Sequence, residues 1–397
     1  MRGILALVAC LAAPLHGGDW TPKLSGYAAG EARGFAAAPP YQGQVRNTVS
    51  AVFEPELHLP LGREELTATF SPFGRLDSAD PERTYFDVRE LFVLWHGGRW
   101  EARAGVDKVF WGVTESAHLV DIVNQTDTLG SFDGEDKLGQ PMLKLSLSPD
   151  LGTFDLFLLP YFRERTFAGA RGRLRGPLVA KNSLARYESA AGEWHQDFAV
   201  RYSRSVSVLD IGLSHFHGTG REPTLLQGVD PSGTPVYIPF YEQIDQTGLD
   251  AQLTAGSWLW KLEAIRRNGE GPRAFVASAL GLEYSISGVL GSPIDLGLLA
   301  EWLLDDRHGD ALRAADNDIT AGFRLAFNDV QGTELLAFVV HDYRNASRVL
   351  SVEAGRRLTD NWKAEAQGFM FLGAAPGDPT YLVRDDDHLE IRLAYYF

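Results

Sequence analysis

Large apolar residues recur at every second position through most of this chain, in stretches of about ten residues, the period of a β-strand with one greasy and one wet face. In Trp258-Leu259-Trp260-Lys261-Leu262-Glu263-Ala264, Trp258, Trp260 and Leu262 share one face, and Lys261 and Glu263 share the other. Over 317–328, Ile319, Ala321, Phe323, Leu325 and Phe327 oppose Thr320, Gly322, Arg324 and Ala326. Trp194, Phe198, Val200 and Tyr202 likewise oppose Asp197, Ala199, Arg201 and Ser203. The stretches 87–95 and 153–161 are apolar on both faces for part of their length, which predicts a bulge or a loop packed against them. No long amphipathic helix is written anywhere.

The connections carry as much information as the strands. Tight turns are predicted at 60–63, 97–98, 149–152, 204–205, 255–256, 287–293, 328–332 and 359–361. Longer polar connections fall between them, at 34–44, 74–82, 112–138, 163–193, 218–241, 268–272, 305–316, around Asn345 and at 373–387. Short and long alternate throughout. A β-sandwich has no reason to sort its connections this way, whereas a membrane barrel with short periplasmic turns and long outer loops requires it. The predicted fold is all-β, a transmembrane antiparallel barrel of about eighteen strands, with sixteen as the alternative count. Trp95, Trp100, Trp194, Tyr202, Trp302, Trp362 and Tyr395 lie near strand ends, as an interfacial aromatic girdle would.

The closing nine residues follow the same rule. Leu389, Ile391, Leu393, Tyr395 and Phe397 form the apolar face, and Glu390, Arg392, Ala394 and Tyr396 fill the other. This segment resembles the terminal strand of bacterial outer-membrane barrels, and the resemblance implies that its closing aromatic is read by the barrel assembly machinery. At the other end, Arg2, an apolar run from Ile4 to Ala13 and small residues near Gly17 and Gly18 read as a signal peptide over 1–18, with no clean cleavage box. Residues 19–397 are then a single barrel domain. Fewer than ten residues separate that signal from a first strand near Lys23, too few for the plug domain of a TonB-dependent transporter.

Composition narrows the function. The single cysteine, Cys10, falls in the signal segment, so disulfide and thiol chemistry are not expected in the barrel. Net charge is −15, which argues against nucleic acid as a partner. No apolar run is long enough for a transmembrane helix, and the alternation of wet and greasy residues hides a barrel from a hydropathy scan.

The polar faces predict the lining of a pore. Inward bases are Arg99, Arg103, Arg201, Lys261, Arg324, Arg357, Lys363 and Arg392. Inward acids are Glu101, Asp107, Glu263, Glu301, Glu353, Glu365 and Glu390, with Glu54, Glu56, Asp197, Glu283 and Asp295. A barrel this wide leaves room for water around such charges, and part of the set can pair across neighbouring strands. The mild acidic excess predicts modest cation preference.

The third long loop is the most motif-like segment. Chain architecture resembles the general porins, and that resemblance implies a third loop folded inward to narrow the barrel. Trp111, Glu115, His118, Asp121 and Asp127 are its candidate constriction residues, and Leu119, Ile122 and Val123 have helical spacing. The run from Val109 to Asp127 is also similar to uncharacterised proteobacterial porin-like barrels, which implies no substrate. From Trp111 to Leu138 there are six acids and one lysine, so a constriction here would favour cations; a solvated outer loop is the alternative.

Ser116, His118 and Asp121 are the residue types of a hydrolase triad, but on one short helix they would point apart. Glu115 with His118 is too few ligands for a metal. His215 and His217 share the lipid face with Leu209, Ile211 and Leu213. No catalytic residue, cofactor or metal is therefore assigned. The fourth loop is basic, with Arg163, Arg165, Arg171, Arg173, Arg175, Lys181 and Arg186 against Glu164, Glu188 and Glu193. It would contact lipopolysaccharide phosphates, recruit anionic solutes, or simply be solvated. The runs Asp305-Asp306 and Asp385-Asp386-Asp387 read as acidic loop tips. The expected function is passive diffusion of small hydrophilic solutes or ions. A barrel enzyme and a structural or adhesion barrel are the alternatives. Expected partners are membrane lipid, lipopolysaccharide, the assembly machinery and small solutes, with a homotrimer and a monomer both open.

Overall fold

A computed structural model of the protein describes residues 21–63, 65–307 and 317–397. The expected signal segment lies outside the described residues, as does most of the expected 305–316 loop. The first strands are β1 (Lys23–Phe35), β2 (Asn47–Arg63), β3 (Leu66–Asp77), β4 (Tyr85–Gly97), β5 (Trp100–Asp107), β6 (Gln140–Leu147) and β7 (Thr153–Leu159). They are followed by β8 (Arg186–Tyr187), β9 (Asp197–Val206), β10 (Leu209–Thr219), β11 (Thr224–Val229), β12 (Pro235–Tyr241) and β13 (Gln243–Ala255). The remainder are β14 (Trp258–Asn268), β15 (Phe275–Ile286), β16 (Asp295–Asp305), β17 (Asn317–Ala326), β18 (Glu334–Asp342), β19 (Arg348–Arg357), β20 (Trp362–Leu372) and β21 (His388–Tyr396).

Eighteen of these strands make one antiparallel sheet in chain order, and β21 returns to β1 to close it, from Tyr27 opposite Tyr396 to Phe35 opposite His388. Closure removes both sheet edges, which an open sheet could not leave unpaired in hydrocarbon. At this seam Gly26 exchanges two backbone hydrogen bonds with Phe397, each 3.1 Å. Its φ of +142° and the 2.6 Å that would separate an added Cβ from Pro55 Cα both require glycine. Phe397 stacks on Phe53 at 6.2 Å between ring centroids.

Turn parity is as the sequence predicts, with eight short turns at one end and longer loops at the other. The short-turn end is the periplasmic end of outer-membrane barrels. Two reversals are displaced. The one predicted at 204–205 falls after Val206, where Ser207 takes a positive φ of 57°. The one predicted at 97–98 falls after Gly97, leaving Arg99 in the turn itself. The expected irregularity near 87–95 is a bulge at Arg89 of β4, the extra residue opposite the step from Ser71 to Pro72 of β3.

Outward positions are apolar and open. Leu280, Trp302 and Ile319, side by side on three adjoining strands, are 49%, 49% and 47% exposed. A wall of such residues is what hydrocarbon solvates and water does not, so the chain is an outer-membrane-type transmembrane barrel. Aromatic side chains gather toward the short-turn end, including Trp258 against Tyr284 at 4.4 Å and Trp362 against Tyr395 at 5.2 Å. At the long-loop end, β11 and β12 form a hairpin to which β8 adds in parallel, a small second sheet. This sheet is absent from the sequence-based expectation. Val236, Ile238 and Tyr241 are buried in it, which is why these two loops are structured.

Candidate functional site

The 108–139 connection between β5 and β6 lies inside the barrel rather than above it. Two carboxylates on alternate strands hold it to the wall. Glu263 of β14 is fully buried and accepts from the N–H groups of Val113 (2.6 Å), Thr114 (3.0 Å) and Val120 (3.1 Å), and from Thr114 Oγ1 (2.8 Å). Glu301 of β16 accepts from Glu115 N (2.7 Å), Ser116 N (2.7 Å) and Ser116 Oγ (2.6 Å). A loop without regular structure must place its backbone donors somewhere, and these two side chains take five of them.

Apolar packing completes the attachment. Trp111, Leu119, Val120, Ile122 and Val123 join Phe157, Phe216, Ile265, Phe275 and Leu303 of the inner wall in one buried cluster. The helix expected over 119–123 does not form; this stretch is irregular, with consecutive apolar side chains buried against different strands. Asn124 clips the two legs of the loop together, accepting from Val109 N and donating to Asp107 and Leu138 carbonyls at 2.8–2.9 Å. Arg221, paired with Asp197 at 2.8 Å, donates to Val123 O.

From there the loop crosses to the opposite wall. Arg83 donates to Leu129 O at 2.9 Å and Arg33 to Gly130 O at 3.3 Å. Phe132 packs on Phe369 and Phe371 of β20 at 5.4 and 5.1 Å. Gln367 of the same strand donates to Asp133 at 2.6 Å. The crossing separates a lumen cavity of 580 Å³ toward the short-turn end from a vestibule of 730 Å³ toward the long loops. Among the described residues Ser131 alone lines both.

Several expected pore-lining residues have other surroundings. Glu263 and Glu301 point inward but are covered by the loop, so they anchor it and do not face open lumen. Asp107 is buried beside Arg103 (3.0 Å), which also meets Glu101. Arg201 is bidentate to Asp250 and lies over the Trp111 ring at 5.2 Å. Arg99 stands outside the lumen, paired with exposed Asp150 across neighbouring turns. Arg357 sits at the short-turn mouth over Tyr396. The lumen cavity itself is lined by Arg324, Glu353, Lys363, Glu365, Glu390 and Arg392, with Lys261 just beside it pairing Glu115 at 3.7 Å. Arg324 also meets Glu115 at 2.9 Å, while Glu365 joins Lys363 (2.8 Å) to Arg392 (3.1 Å).

Of the expected constriction residues, Trp111 packs on the wall and Asp121 is buried beside Lys137 at 3.1 Å. Asp127 is buried against Arg89 and Tyr85, both at 2.5 Å, so neither carboxylate faces the opening. His118 pairs with Glu135. Burial alone would lower the His118 pKa, but the hydrogen bond and charge of Glu135 hold it above its ordinary value. Asp133, Glu135 and Asp136 line the lumen cavity, and sequence reasoning did not single them out. Asp133, Asp136 and wall residue Glu353 form no ion pair among the described residues. Asp136 opens on the lumen; its enclosure within the barrel and the charge of Asp127 push its carboxyl up to about 6.

Ser116 is turned to Glu301, His118 to Glu135 and Asp121 to Lys137, so the three triad residue types face three different partners. His215 and His217 face outward at the rim beside Asp245. In the fourth loop Arg163 pairs with Asp87 and Arg173 with Asp386. Among the described residues no group of three or more His, Cys, Asp or Glu has metal-binding geometry.

The sequence matches no family model and no curated protein. Two variants of the Rhodobacter blastica porin, 11% and 12% identical, match over 95% of this chain and 100% of theirs with a TM-score of 0.48. OmpT, an outer membrane protein of Vibrio cholerae in its trimer form, is 11% identical over 95% of this chain and 99% of its own, with a TM-score of 0.45. At these values the strand count, the loop path and the lumen chemistry are read from this chain alone.

Proposed function

We propose that the protein is an outer-membrane channel through which small hydrophilic solutes and ions diffuse, with weak preference for cations. The observation that carries this is the lumen cavity beneath the crossing loop. Nine carboxylates and seven cations line it, and among the described residues Asp133, Asp136 and Glu353 are the carboxylates without an ionic partner. Charges so arranged are costly in a dry core and natural in a water-filled path. The crossing segment 129–137 would set the narrowest passage. An outer-membrane enzyme would need a nucleophile and base in contact, and Ser116 and His118 each meet a different carboxylate. Lipid, lipopolysaccharide, the assembly machinery and two further copies are the proposed partners, and residues 1–18 the proposed export signal.

Purified protein in a planar bilayer should open stable channels, with a salt-gradient reversal potential on the cation side. A silent protein would end the channel proposal. The same measurement carries a pH prediction. Asp136 is ionised above about pH 6 and neutral below it. Cation preference should therefore weaken as pH falls from about 7 to about 5. Asp136→Asn should show the weaker preference already at pH 7 and little change over that window. An unchanged pH response in the variant would remove Asp136 from the path.

A further inference from the structure

The vestibule above the crossing loop differs in character from the lumen below it. Leu119, Phe132, Phe167, Leu178, Leu225 and Leu382 supply apolar walls from the third, fourth and fifth long loops and the last. Its volume of 730 Å³ lies within the range of pockets that enclose a small organic ligand, about 300–1,000 Å³.

The charged side chains around it are unevenly matched. Arg33, Arg83 and Arg173 are tied to Glu390, Asp77 and Asp386 at 2.6–2.9 Å. The three lining acids are also engaged: Asp80 accepts from Glu82 N and Gly169 N, Glu222 approaches Arg267 at 4.0 Å, and Glu270 joins Arg267 to Arg307. Two arginines have no carboxylate partner among the described residues. Arg175 donates to the carbonyls of Gly169, Ala170, Gly176 and Pro177, with its guanidinium over the Tyr41 ring. Arg165 makes no side-chain hydrogen bond and no ion pair among the described residues, and its Nε is buried without a partner. Arg165 lines the cavity with its charge unpaired, and an incoming carboxylate would supply the missing partner. Apolar walls beside it leave an inorganic anion poorly matched and a hydrocarbon well matched.

We infer that this vestibule binds an amphipathic organic anion, a carboxylate carried on a short aromatic or aliphatic body. Its carboxylate meets Arg165 and its body lies along the leucine and phenylalanine walls. As a solute class for transport this rests on the channel proposal; as a binding site it does not.

The test uses the full chain in lipid nanodiscs, with empty nanodiscs subtracting partition into lipid. Equilibrium dialysis is run with 4-phenylbutyrate, its neutral counterpart 4-phenylbutan-1-ol, and acetate. Phenylbutyrate should bind saturably, and the alcohol and acetate about tenfold or more weakly, the loss expected for one charged hydrogen bond or for the hydrocarbon contact. Arg165→Gln should bring phenylbutyrate down to the level of the alcohol, while Arg186→Gln, an exposed loop arginine outside the cavity, should leave binding unchanged. Equal binding of alcohol and acid, or an Arg165→Gln variant that binds as wild type does, overturns the inference. Planar-bilayer recordings separate the two proposals. Open channels without saturable binding sink only the vestibule site; saturable binding by a silent protein sinks only the channel.

Discussion

Glu263→Ala should free the third loop and raise single-channel conductance severalfold, with larger current noise. Glu263 is fully buried and matches three backbone N–H groups and one hydroxyl of the loop. Removing it leaves those donors unmatched beneath the loop, at a cost of roughly 3–5 kcal/mol in loop docking. The wall around it keeps its ladder, because the backbone hydrogen bonds of β14 to β13 and β15 do not involve the Glu263 side chain. The barrel should therefore still fold, which heat-dependent gel mobility checks. Glu263→Gln retains one acceptor oxygen but turns an amide toward Val120 N–H, so an intermediate conductance is expected. If both variants conduct as wild type does, the loop does not set the passage.

The second large effect concerns the outer wall. Leu280→Arg places a charge at mid-strand on the outward face, next to Leu262 and Trp302 on the adjoining strands. In a bilayer it should cost roughly 2–4 kcal/mol, measured by urea unfolding in phospholipid vesicles. The contrast with Val330→Arg makes the measurement specific. Val330 is 97% exposed in a short turn, and a charge there should stay within about 0.5 kcal/mol of wild type. A Leu280→Arg change as small as that would mean the outward face meets water.

How far these features could be read from the residues depends on what each pattern encodes. Period-two alternation reports which side of a strand faces away from its neighbours, so the outward set of Leu280, Trp302 and Ile319 was legible, as was the parity of turns. Alternation does not report what lies across the lumen. Glu263 and Glu301 looked like pore charges because they point inward, yet a folded loop stands over them. A signal was present: Ile265, Phe275 and Leu303 also point inward on these strands, and a water-facing wall would not carry them. Helical spacing at 119–123 misled for the related reason that irregular chain pressed on a curved wall also buries residues at three- and four-residue intervals. The small sheet of β8, β11 and β12 was legible in principle, since Val236, Ile238 and Phe240 alternate after the turn residues Asp230 and Gly233. Arg165 was named only as one of seven loop bases, because charge counting cannot tell a matched arginine from an unmatched one.

The seam between β1 and β21 has a consequence for how long the protein lasts. Inside the wall Arg33 meets Glu390 at 2.6 Å and Arg392 approaches Glu31 at 3.8 Å, so first and last strands are fastened by side chains as well as by their ladder. A ring has no loose end from which to unzip. Opening it anywhere exposes two rows of peptide groups to hydrocarbon at once, each unmatched group costing several kcal/mol. Loss of structure must therefore pass through one concerted rupture, and the folded lifetime is governed by that barrier more than by the equilibrium between states.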